Sequence, residues 1–342
     1  MELRKLAKEE HSKTRKLYES IFTQDTKEFL DYYYSVKTEN NEIYVIEDEE
    51  QFISMIHLNP YQLRIGETIH QANYIVAVAT DANYRKRGLM GQLLRHTMRV
   101  MYERKEPFTF LMPAAEGIYY PYDFRFVYTR KQGEMCGENN DSNVEIREAK
   151  HEDCGKLATF SNVFLKEHQV VAHRDAGYFE MFLAEQASQD GGIIIMEKEG
   201  QIVGMFFYAK GERYEIREPL YYDEKDLKKA IYKFTSNKEE FVDTIAYGEG
   251  TRPIIMVRIL HLETLLKTIK LENDLDCYVR IEDSFIEENN GVFHICGNAG
   301  EYIAEVSHVE DEPQDVPVWK IGDLTIEIFK HAFPKVFLNE VV

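Results

Sequence analysis

The sequence predicts a mixed α+β protein made of two related units and a smaller third unit, and three observations support this. A buried strand, a basic turn and an amphipathic helix follow one another between Tyr74 and Leu94, a succession typical of mixed α/β units. A strand–turn–strand pattern that begins at Ile43 recurs at Ile193, an offset of 193 − 43 = 150 residues. From Thr251 onward the pattern changes to short strands separated by turns.

The composition is that of an ordinary globular protein, and it limits the choice of partner. The chain has 342 residues, 44% of them apolar, which is enough for two or three domains. Lys and Arg number 41 against 60 Asp and Glu, a net charge of −19. Nucleic acid is not expected as the main partner, because a phosphate backbone requires a basic surface. The acidity is compatible with a cationic substrate, although it also serves solubility alone.

The cysteines and the N-terminus predict a reduced, cytoplasmic protein. There is no CxxC pair and no nearby His cluster, so a disulfide, a zinc site or any other metal site is not expected. The four thiols are predicted to be buried and free: Cys136, Cys154, Cys277 and Cys296. MELRKLAKEE at the N-terminus has no apolar signal core, and no run is long enough to span a membrane. A membrane partner is therefore not expected.

The first unit begins with a short strand, a helix and a second, aromatic-rich helix over Phe29–Tyr34. Strands over Ile43–Ile46 and Phe52–Leu58 are predicted to form a hairpin across the acidic turn Glu47–Gln51. Another buried strand is predicted over Phe108–Met112, and a stretch unusually rich in tyrosine follows it.

The stretch that begins at Tyr74 predicts a site for a phosphate-bearing ligand. Tyr74–Val78 is apolar and rich in β-branched residues, as expected of a buried strand, and Thr80–Gly88 is a polar turn. Apolar residues then recur at helical spacing as one buried face: Leu89, Met90, Leu93, Leu94, Met98 and Met101. A helix N-terminus offers free N–H groups to an anion, and the turn adds three cations: Arg85, Lys86 and Arg87.

The second unit lacks this basic turn. IYVIEDEEQFISMIHL from Ile43 aligns without a gap to IIIMEKEGQIVGMFFY from Ile193, which favours a duplicated unit over a chance match of two strand pairs. Where the phosphate turn should recur, Glu215–Ala230 contains no glycine and several acidic residues. Because a phosphate would be repelled there, the second unit is expected to be structural.

The third unit contains the short strands and the end of the chain. A strand over Ile254–Leu260, a helix over His261–Ile269 and three further short strands are predicted, with a last helix over Leu324–Phe333. The chain ends KVFLNEVV. A tail that stays apolar to its last residue is expected to dock on the protein, because free tails tend to be polar.

The segment AVATDANYRKRGLMGQLL resembles the acetyl-coenzyme A motif of the GNAT acyltransferases, Arg/Gln-x-x-Gly-x-Gly/Ala. Arg85 and Gly88 fit that motif, whereas Met90 stands where a small residue is usual. A bulkier residue there is similar to the enhanced-intracellular-survival (Eis) type N-acetyltransferases. That branch also has an Ile-Tyr pair before an aromatic-rich turn, which Ile118 and Tyr119 resemble.

The resemblance covers the whole chain and implies an architecture. It implies tandem GNAT acyltransferase folds followed by a small sterol-carrier-like α+β domain. The expected boundaries are a catalytic domain over residues 1–142, a degenerate GNAT-like domain over 143–250 and a sterol-carrier-like domain over 251–342. It also implies a homo-oligomer, often a hexamer.

The resemblance further implies acetyl-CoA as the acyl donor and assigns residues to it. Backbone groups of a splayed strand would bind the pantetheine arm, and amides of the turn and helix would bind the pyrophosphate, with Gly88 allowing close approach. Two residues after the neighbouring strand would line the reactive end. The implied set is Val76, Ala77, Val78, Arg85, Lys86, Arg87, Gly88, Leu89, Met90, Gly91, Ala115 and Glu116.

For the chemistry, the resemblance implies Tyr119 as the general acid and the terminal carboxylate, here that of Val342, as the base. Attack of an amine on a thioester needs both groups, to protonate the thiolate and to accept the amine proton. The alternatives are that Tyr119 is one more packed aromatic residue and that the tail only packs on a domain interface.

The predicted function is an acetyl-CoA-dependent N-acetyltransferase acting on a primary amine of a small polycationic molecule or a lysine side chain. Asp25 and Glu28 would help attract such an amine, unless they belong to a solvated surface. Two alternatives stay open: a non-catalytic lipid- or CoA-binding scaffold, and an acyltransferase for longer acyl groups if the pocket near Ala115 is deep. The basic turn, present in the first unit alone, favours an enzyme.

Overall fold

The structure, a computed structural model, describes residues 1–210, 213–235, 241–245, 247–311 and 313–340. Its strands are β1 (Glu2–Lys5), β2 (Glu42–Asp48), β3 (Gln51–Ile65), β4 (Thr68–Thr80), β5 (Phe108–Leu111), β6 (Arg125–Cys136), β7 (Glu145–Glu148), β8 (Val170–Ala172), β9 (Gly192–Lys198), β10 (Gln201–Lys210), β11 (Tyr214–Tyr221), β12 (Phe241–Ile245), β13 (Gly250–Ile259), β14 (Leu275–Glu282), β15 (Gly291–Gly297), β16 (Glu305–His308), β17 (Val318–Lys320) and β18 (Val336–Phe337). Its α-helices are α1 (Arg15–Ile21), α2 (Lys27–Ser35), α3 (Leu89–Glu103), α4 (Glu116–Tyr119), α5 (Cys154–Phe164), α6 (Ala176–Ala187), α7 (Glu224–Phe234), α8 (Leu262–Leu266) and α9 (Ile321–Glu327).

The strands form two sheets in the described part of the chain. The larger has 14 strands in the order β1-β2-β3-β4-β5-β13-β6-β12-β11-β10-β9-β7, with β8 and β18 attached beside β3. The smaller has the order β16-β15-β14-β17. Helices pack on these sheets, which confirms the predicted mixed α+β class. None of the described helices is both long enough and apolar enough to cross a membrane.

The two hairpins that the sequence aligned occur at the same offset of 150 residues. The β2–β3 turn consists of Glu49 and Glu50, with φ of 47° and 64°, and the β9–β10 turn of Glu199 and Gly200, with φ of 50° and 75°. Two successive left-handed residues match the right-handed twist of a tight hairpin. In the first unit β3 continues to Ile65, well beyond the predicted end, and pairs along its length with β4.

The first two units share their sheet by exchanging strands. The strand β6 follows β5 in sequence, yet β13 lies between them and pairs with both. On its other side β6 pairs with β12, the strand that precedes β13 in the sequence. The change of sequence pattern at Thr251 therefore falls inside β13, a strand of the large sheet. The separate small sheet begins at Leu275. Neither unit completes its sheet alone.

The end of the chain docks on the second unit. After α9 the chain forms a π-helical turn over Ile328–Ala332, and β18 then pairs in parallel with β8. Leu338 and Glu340 are fully buried. The tail is thus held in place up to the last residue that the structure describes.

The cysteines form no disulfide among the described residues, but their burial differs from the prediction. Cys154 is buried and Cys277 and Cys296 are half-buried, whereas Cys136 is exposed. The prediction of a buried thiol is wrong for Cys136, which lies near the end of β6, next to the second unit.

Candidate active site

A cleft opens between β4 and β5 because β4 contains a bulge. Ala77 has a φ of 51°, and the pairing with β3 shifts there, from Val76 opposite His57 to Ala79 opposite Met55. An extra residue bends the strand that contains it. In the described chain, the ladder between β4 and β5 consists of one pair, Tyr74 with Phe110. Beyond Tyr74 the two strands diverge.

The divergence leaves one edge of β4 facing the cleft at Val76–Val78. Val76 and Val78 are half-buried, whereas the Ala77 side chain packs in the core. Backbone groups that have no neighbouring strand need another hydrogen-bonding partner. An extended amide-containing ligand fits this requirement, since it would pair with the open edge as a strand does.

The basic turn that follows β4 presents backbone amides at the start of α3. Lys86 and Gly88 have φ values of 62° and 76°, so the chain turns sharply before the helix. The first helical bond runs from the Gln92 N–H to the Gly88 carbonyl at 3.1 Å. The amides of Leu89–Gly91 precede that bond and point out of the helix end, where an anion is stabilised.

Three exposed cations surround these amides: Arg85, Lys86 and Arg87. The Arg85 Nε lies 3.4 Å from the Thr80 carbonyl, and the Arg87 guanidinium stacks 4.9 Å from the Tyr84 ring centre. Both side chains therefore stay beside the turn. The basic turn thus follows directly on the open edge of β4, and these two segments contain residues that the family resemblance assigns to the acyl donor.

The small residue that this helix end requires is Gly91. A Cβ at Gly91 would lie 2.3 Å from the Tyr122 hydroxyl, so the tyrosine occupies the space of a side chain. Met90 is half-buried against the core that contains Leu93 and Leu94. A bulky residue at position 90 is accommodated because its side chain points into that core.

Tyr119 lies at the C-terminal end of α4, near the mouth of the cleft. Its ring is 7% exposed and makes an edge contact with Phe124 at 5.9 Å between ring centres. Burial raises the pKa of Tyr119 to about 12, so the hydroxyl stays protonated at neutral pH. Among the described residues none bonds to this hydroxyl. It is therefore available as a proton donor.

The loop between β5 and Tyr119 is open to solvent. Ala115, which caps the N-terminus of α4, and Glu116, its first residue, are both exposed. Met112 and Ile118 are each 42% exposed, and Tyr120 is 50% exposed. Large apolar side chains grouped at the mouth of a cleft suggest that a bound ligand covers them.

A cavity of about 330 Å³ opens beside Met112, at the end of β5. The α1–α2 loop of the first unit, the second unit and the tail all contribute to its wall. It is lined by Gln24, Asp25, Thr26, Phe29, Met112, Arg130, Phe182, Glu185, Gln186, Gln189, Phe207, Glu215, Arg217, Glu218, Ile245 and Asn339. Most of these residues belong to the second unit, which therefore forms most of the cavity wall.

Three buried acceptor atoms in this wall lack a partner within the described chain. They are Glu185 Oε2, Gln186 Oε1 and Asn339 Oδ1. Buried polar atoms normally have hydrogen-bond partners. A ligand that donates hydrogen bonds could therefore bind to these three atoms. One donor in the same wall, Arg130 Nε, also lacks a partner there. Burial raises the pKa of Glu185, and the nearby Lys37 ammonium opposes that rise.

A buried ion cluster fixes the tail against this cavity. Arg174 is fully buried and pairs directly with Glu218, and its other nitrogen lies 3.4 Å from Glu340. Asn339 lies 3.4 Å from the Glu218 carboxylate. Val341 and Val342 lie outside the described residues, so the predicted base at Val342 is not placed.

The sequence contained only a weak signal for these second-unit residues. Glu185 and Gln186 follow one another in α6, where the surrounding AGYFEMFLA is mainly apolar and aromatic. A polar pair on the buried face of such a helix is the one local feature that indicates these residues.

The two acidic residues predicted to attract an amine, Asp25 and Glu28, lie beside this cavity. Glu28 lines a neighbouring cavity of about 390 Å³ that shares Glu215 and Arg217 with the first, and Asp25 accepts a hydrogen bond from the Tyr18 hydroxyl at 2.9 Å.

Comparison with known families identifies the first unit. Residues 2–127 match the family model of the acetyltransferase (GNAT) domain. No curated protein sequence matches the chain.

Solved structures share the fold across nearly all of the chain. A conserved protein of unknown function from Enterococcus faecalis V583, described as a probable N-acyltransferase, is similar with a TM-score of 0.80 and 19% identity over 96% of this chain and 89% of its own. A GCN5-related N-acetyltransferase from Kribbella flavida gives 0.78 and 14% over 96% and 88%. Eis1 from Mycobacterium abscessus gives 0.70 and 8% over 100% of both chains. At these identities the likeness establishes the fold, which is that of the GNAT acetyltransferases.

Proposed function

We propose that this chain, which carries an acetyltransferase (GNAT) domain over residues 2–127, transfers the acetyl group of acetyl-CoA to a primary amine of a small polycationic molecule or of a lysine side chain. The observation that supports the acceptor class is the cavity beside Met112, with its three unpartnered acceptor atoms. An ammonium group carries three donors and a positive charge, so it satisfies such atoms better than a neutral ligand does.

Acetyl-CoA fits the cleft and the basic turn. The open edge of β4 at Val76, Ala77 and Val78 suits the amides of the pantetheine arm. The amides of Leu89, Met90 and Gly91, with the cations before them, suit a pyrophosphate. Ala115 and Glu116 are proposed to border the thioester end.

The proposed reaction is direct attack of the amine nitrogen on the thioester carbon. A C–N bond forms and the C–S bond breaks, so one proton must leave the nitrogen and one must reach the departing sulfur. We assign the second transfer to Tyr119, whose raised pKa keeps it protonated until the thiolate forms. We assign the first to the terminal carboxylate of Val342. Docking of the tail up to Glu340 supports this, because a base must be held at a fixed place.

We also propose that the chain consists of two tandem GNAT folds and a third, smaller domain. Hairpins at the same offset and the exchange of β6 and β13 support a tandem pair of GNAT folds. The separate sheet of β14–β17 supports a third, sterol-carrier-like domain. A homo-oligomer is proposed from the family resemblance, and sedimentation velocity of the full chain tests it.

The function is tested by measuring acetyl-CoA consumption with aminoglycosides, polyamines and lysine peptides. At least one polycationic amine should be acetylated, and Glu185→Gln should raise its KM by about 10-fold or more, as expected for a lost charge-assisted bond. The KM for acetyl-CoA should not change. Glu180→Gln is the matched control, because Glu180 lies on the same helix but is exposed. No turnover with any amine, or equal effects of the two variants, would contradict the proposal.

The proposed base has its own test. Two residues added after Val342 should lower kcat by about 10²-fold or more, since they move the carboxylate away from the amine. Circular dichroism and the melting temperature should stay unchanged. Normal turnover of the extended chain would remove Val342 from the mechanism without affecting the assignment of the cleft.

A further inference from the structure

The outer face of the small sheet brings together side chains that suit a metal ion. His294 and Cys296 alternate on β15, and Glu305 lies opposite Cys296 on β16. Asp276 lies opposite Cys296 on the other side, on β14. Directly opposed residues in a sheet project on the same face. These four residues, separated in the sequence by up to 29 positions (305 − 276), therefore share one surface.

Three of the side chains already lie close together. One ligand atom from each of His294, Cys296 and Glu305 can be chosen such that all three lie within 4.8 Å of one another. Metal bonds to these ligand types are about 2.0 to 2.3 Å long. Glu305 is exposed, so a rotation of its side chain can bring its carboxylate closer to the other two ligand atoms.

The histidine is oriented as metal-binding histidines usually are. Its Nε2 lies 2.8 Å from Asp276 Oδ1, and its ring stacks on Tyr278 with ring centres 4.8 Å apart. A metal-bound imidazole normally gives its other ring N–H to a carboxylate, which fixes the tautomer and the ring. The bond to Asp276 leaves Nδ1 free for a metal. This arrangement is an observation separate from the closeness of the three ligands.

We propose that His294, Cys296 and Glu305 bind a divalent cation of the zinc class on the small sheet, with Asp276 positioning the imidazole. The mixture of nitrogen, sulfur and carboxylate oxygen selects this class, since magnesium and calcium prefer oxygen alone. On binding, the Cys296 thiol loses its proton to solvent and a metal–sulfur bond forms. The fourth position stays open to water. The ion would link β15 to β16 and would stabilise the small sheet, apart from the acetyl-transfer site.

Cobalt(II) titration of the metal-free full-length protein tests the site, because a thiolate ligand gives cobalt an intense near-ultraviolet charge-transfer band. All proteins would contain Cys136→Ser, since that exposed thiol could bind cobalt by itself. One equivalent of cobalt should produce the band, and zinc should displace it. Cys296→Ser should abolish the band. Cys277→Ser is the matched control, because Cys277 lies on the neighbouring strand, packs against the core and should leave the band intact.

Two further variants distinguish a specific metal site from nonspecific metal binding. Asp276→Asn should weaken the binding of cobalt about 10- to 100-fold, the usual effect of removing a hydrogen-bond partner of a metal ligand. His151→Gln, which removes an exposed histidine elsewhere, should have no effect. Zinc should raise the melting temperature of the parent protein and not that of Cys296→Ser. Absence of a band, or a band that survives Cys296→Ser, would overturn the proposal.

Discussion

The Tyr178 hydroxyl donates a 2.7 Å hydrogen bond to Glu340 Oε2 and so ties helix α6 to the last residue that the structure describes. Glu340 is fully buried, and its other oxygen lies 3.4 Å from Arg174. A carboxylate in the interior is tolerated only when its oxygens have such partners. The chain end is therefore fixed by a specific polar contact as well as by apolar packing.

Replacing Tyr178 with Phe should destabilise the protein and slow the reaction. The ring is kept, but Glu340 Oε2 is left buried without its donor, at a cost of about 1 to 3 kcal/mol. The tail that we propose to hold the base would loosen, so kcat should fall while the KM for acetyl-CoA stays constant. Urea unfolding and steady-state kinetics measure the two effects. Tyr222→Phe, at an exposed position, is the control. Lower stability with normal kcat would separate tail docking from catalysis.

Tyr119→Phe should lower kcat by about 10²- to 10⁴-fold, the usual contribution of a general acid. The KM for acetyl-CoA should be nearly unchanged, because the ring still packs on Phe124. Tyr120→Phe removes a hydroxyl from the exposed neighbour and should have no effect. A normal rate for Tyr119→Phe would mean that Tyr119 is a packing residue alone.

Gly91→Ala should disturb the helix end mainly through a clash with the Tyr122 hydroxyl. The new Cβ would lie 2.3 Å from the Tyr122 hydroxyl, 3.3 Å from Arg95 Nη1 and 3.4 Å from Tyr122 Cζ. We expect a loss of about 1 to 3 kcal/mol in unfolding free energy, typical of overpacking, and a higher KM for acetyl-CoA.

The second substitution Tyr122→Phe should restore most of that loss, because it removes the clashing oxygen and leaves only the contacts of 3.3 Å to Arg95 Nη1 and 3.4 Å to Cζ. The pair forms a double-mutant cycle with a large coupling energy. Gly155→Ala, in helix α5 away from the proposed site and where a Cβ would meet nothing within 4 Å, is the control for glycine replacement in general. Additive effects of the two substitutions would show that the contact is not the cause.

The sequence predicted the strand, turn and helix around the basic turn because their signals are local. The buried face of α3 is confirmed at Leu89, Leu93 and Leu94, and the hairpin at Ile43 is confirmed with longer strands. Periodicity and turn chemistry act over a few residues, so they can be recognised in a single chain.

The cavity could not be predicted, because it depends on contacts between distant segments. The pairing of β13 with β5 joins residues about 145 positions apart (256 − 111 = 145). It aligns the second unit with the end of β5, so that Glu185 and Met112 line one cavity. Nothing in the local pattern of α6 distinguishes a wall of that cavity from an ordinary core helix. The bulge at Ala77 is equally hidden, since alanine has no sequence preference for a left-handed φ.

His57 makes stability depend on pH in a predictable direction. It is fully buried, its Nδ1 lies 2.9 Å from the Tyr33 hydroxyl, and its Nε2 has no partner among the described residues. Burial lowers the pKa of His57 from 6.5 to about 3. The unfolded chain therefore binds a proton more readily than the folded one. The stabilising effect of the neutral ring is complete above pH 6.5 and is lost as the pH falls toward 3.

Between those limits this residue should reduce the unfolding free energy by about 1.4 kcal/mol per pH unit. His57→Gln removes the titration but keeps a polar side chain for Tyr33. Urea unfolding at about pH 7, 6 and 5 should show a steeper loss of unfolding free energy for the parent protein than for His57→Gln. His151→Gln, at an exposed histidine, should follow the parent curve. Parallel curves for the parent and His57→Gln would mean that His57 is not the neutral buried ring found beside Val76.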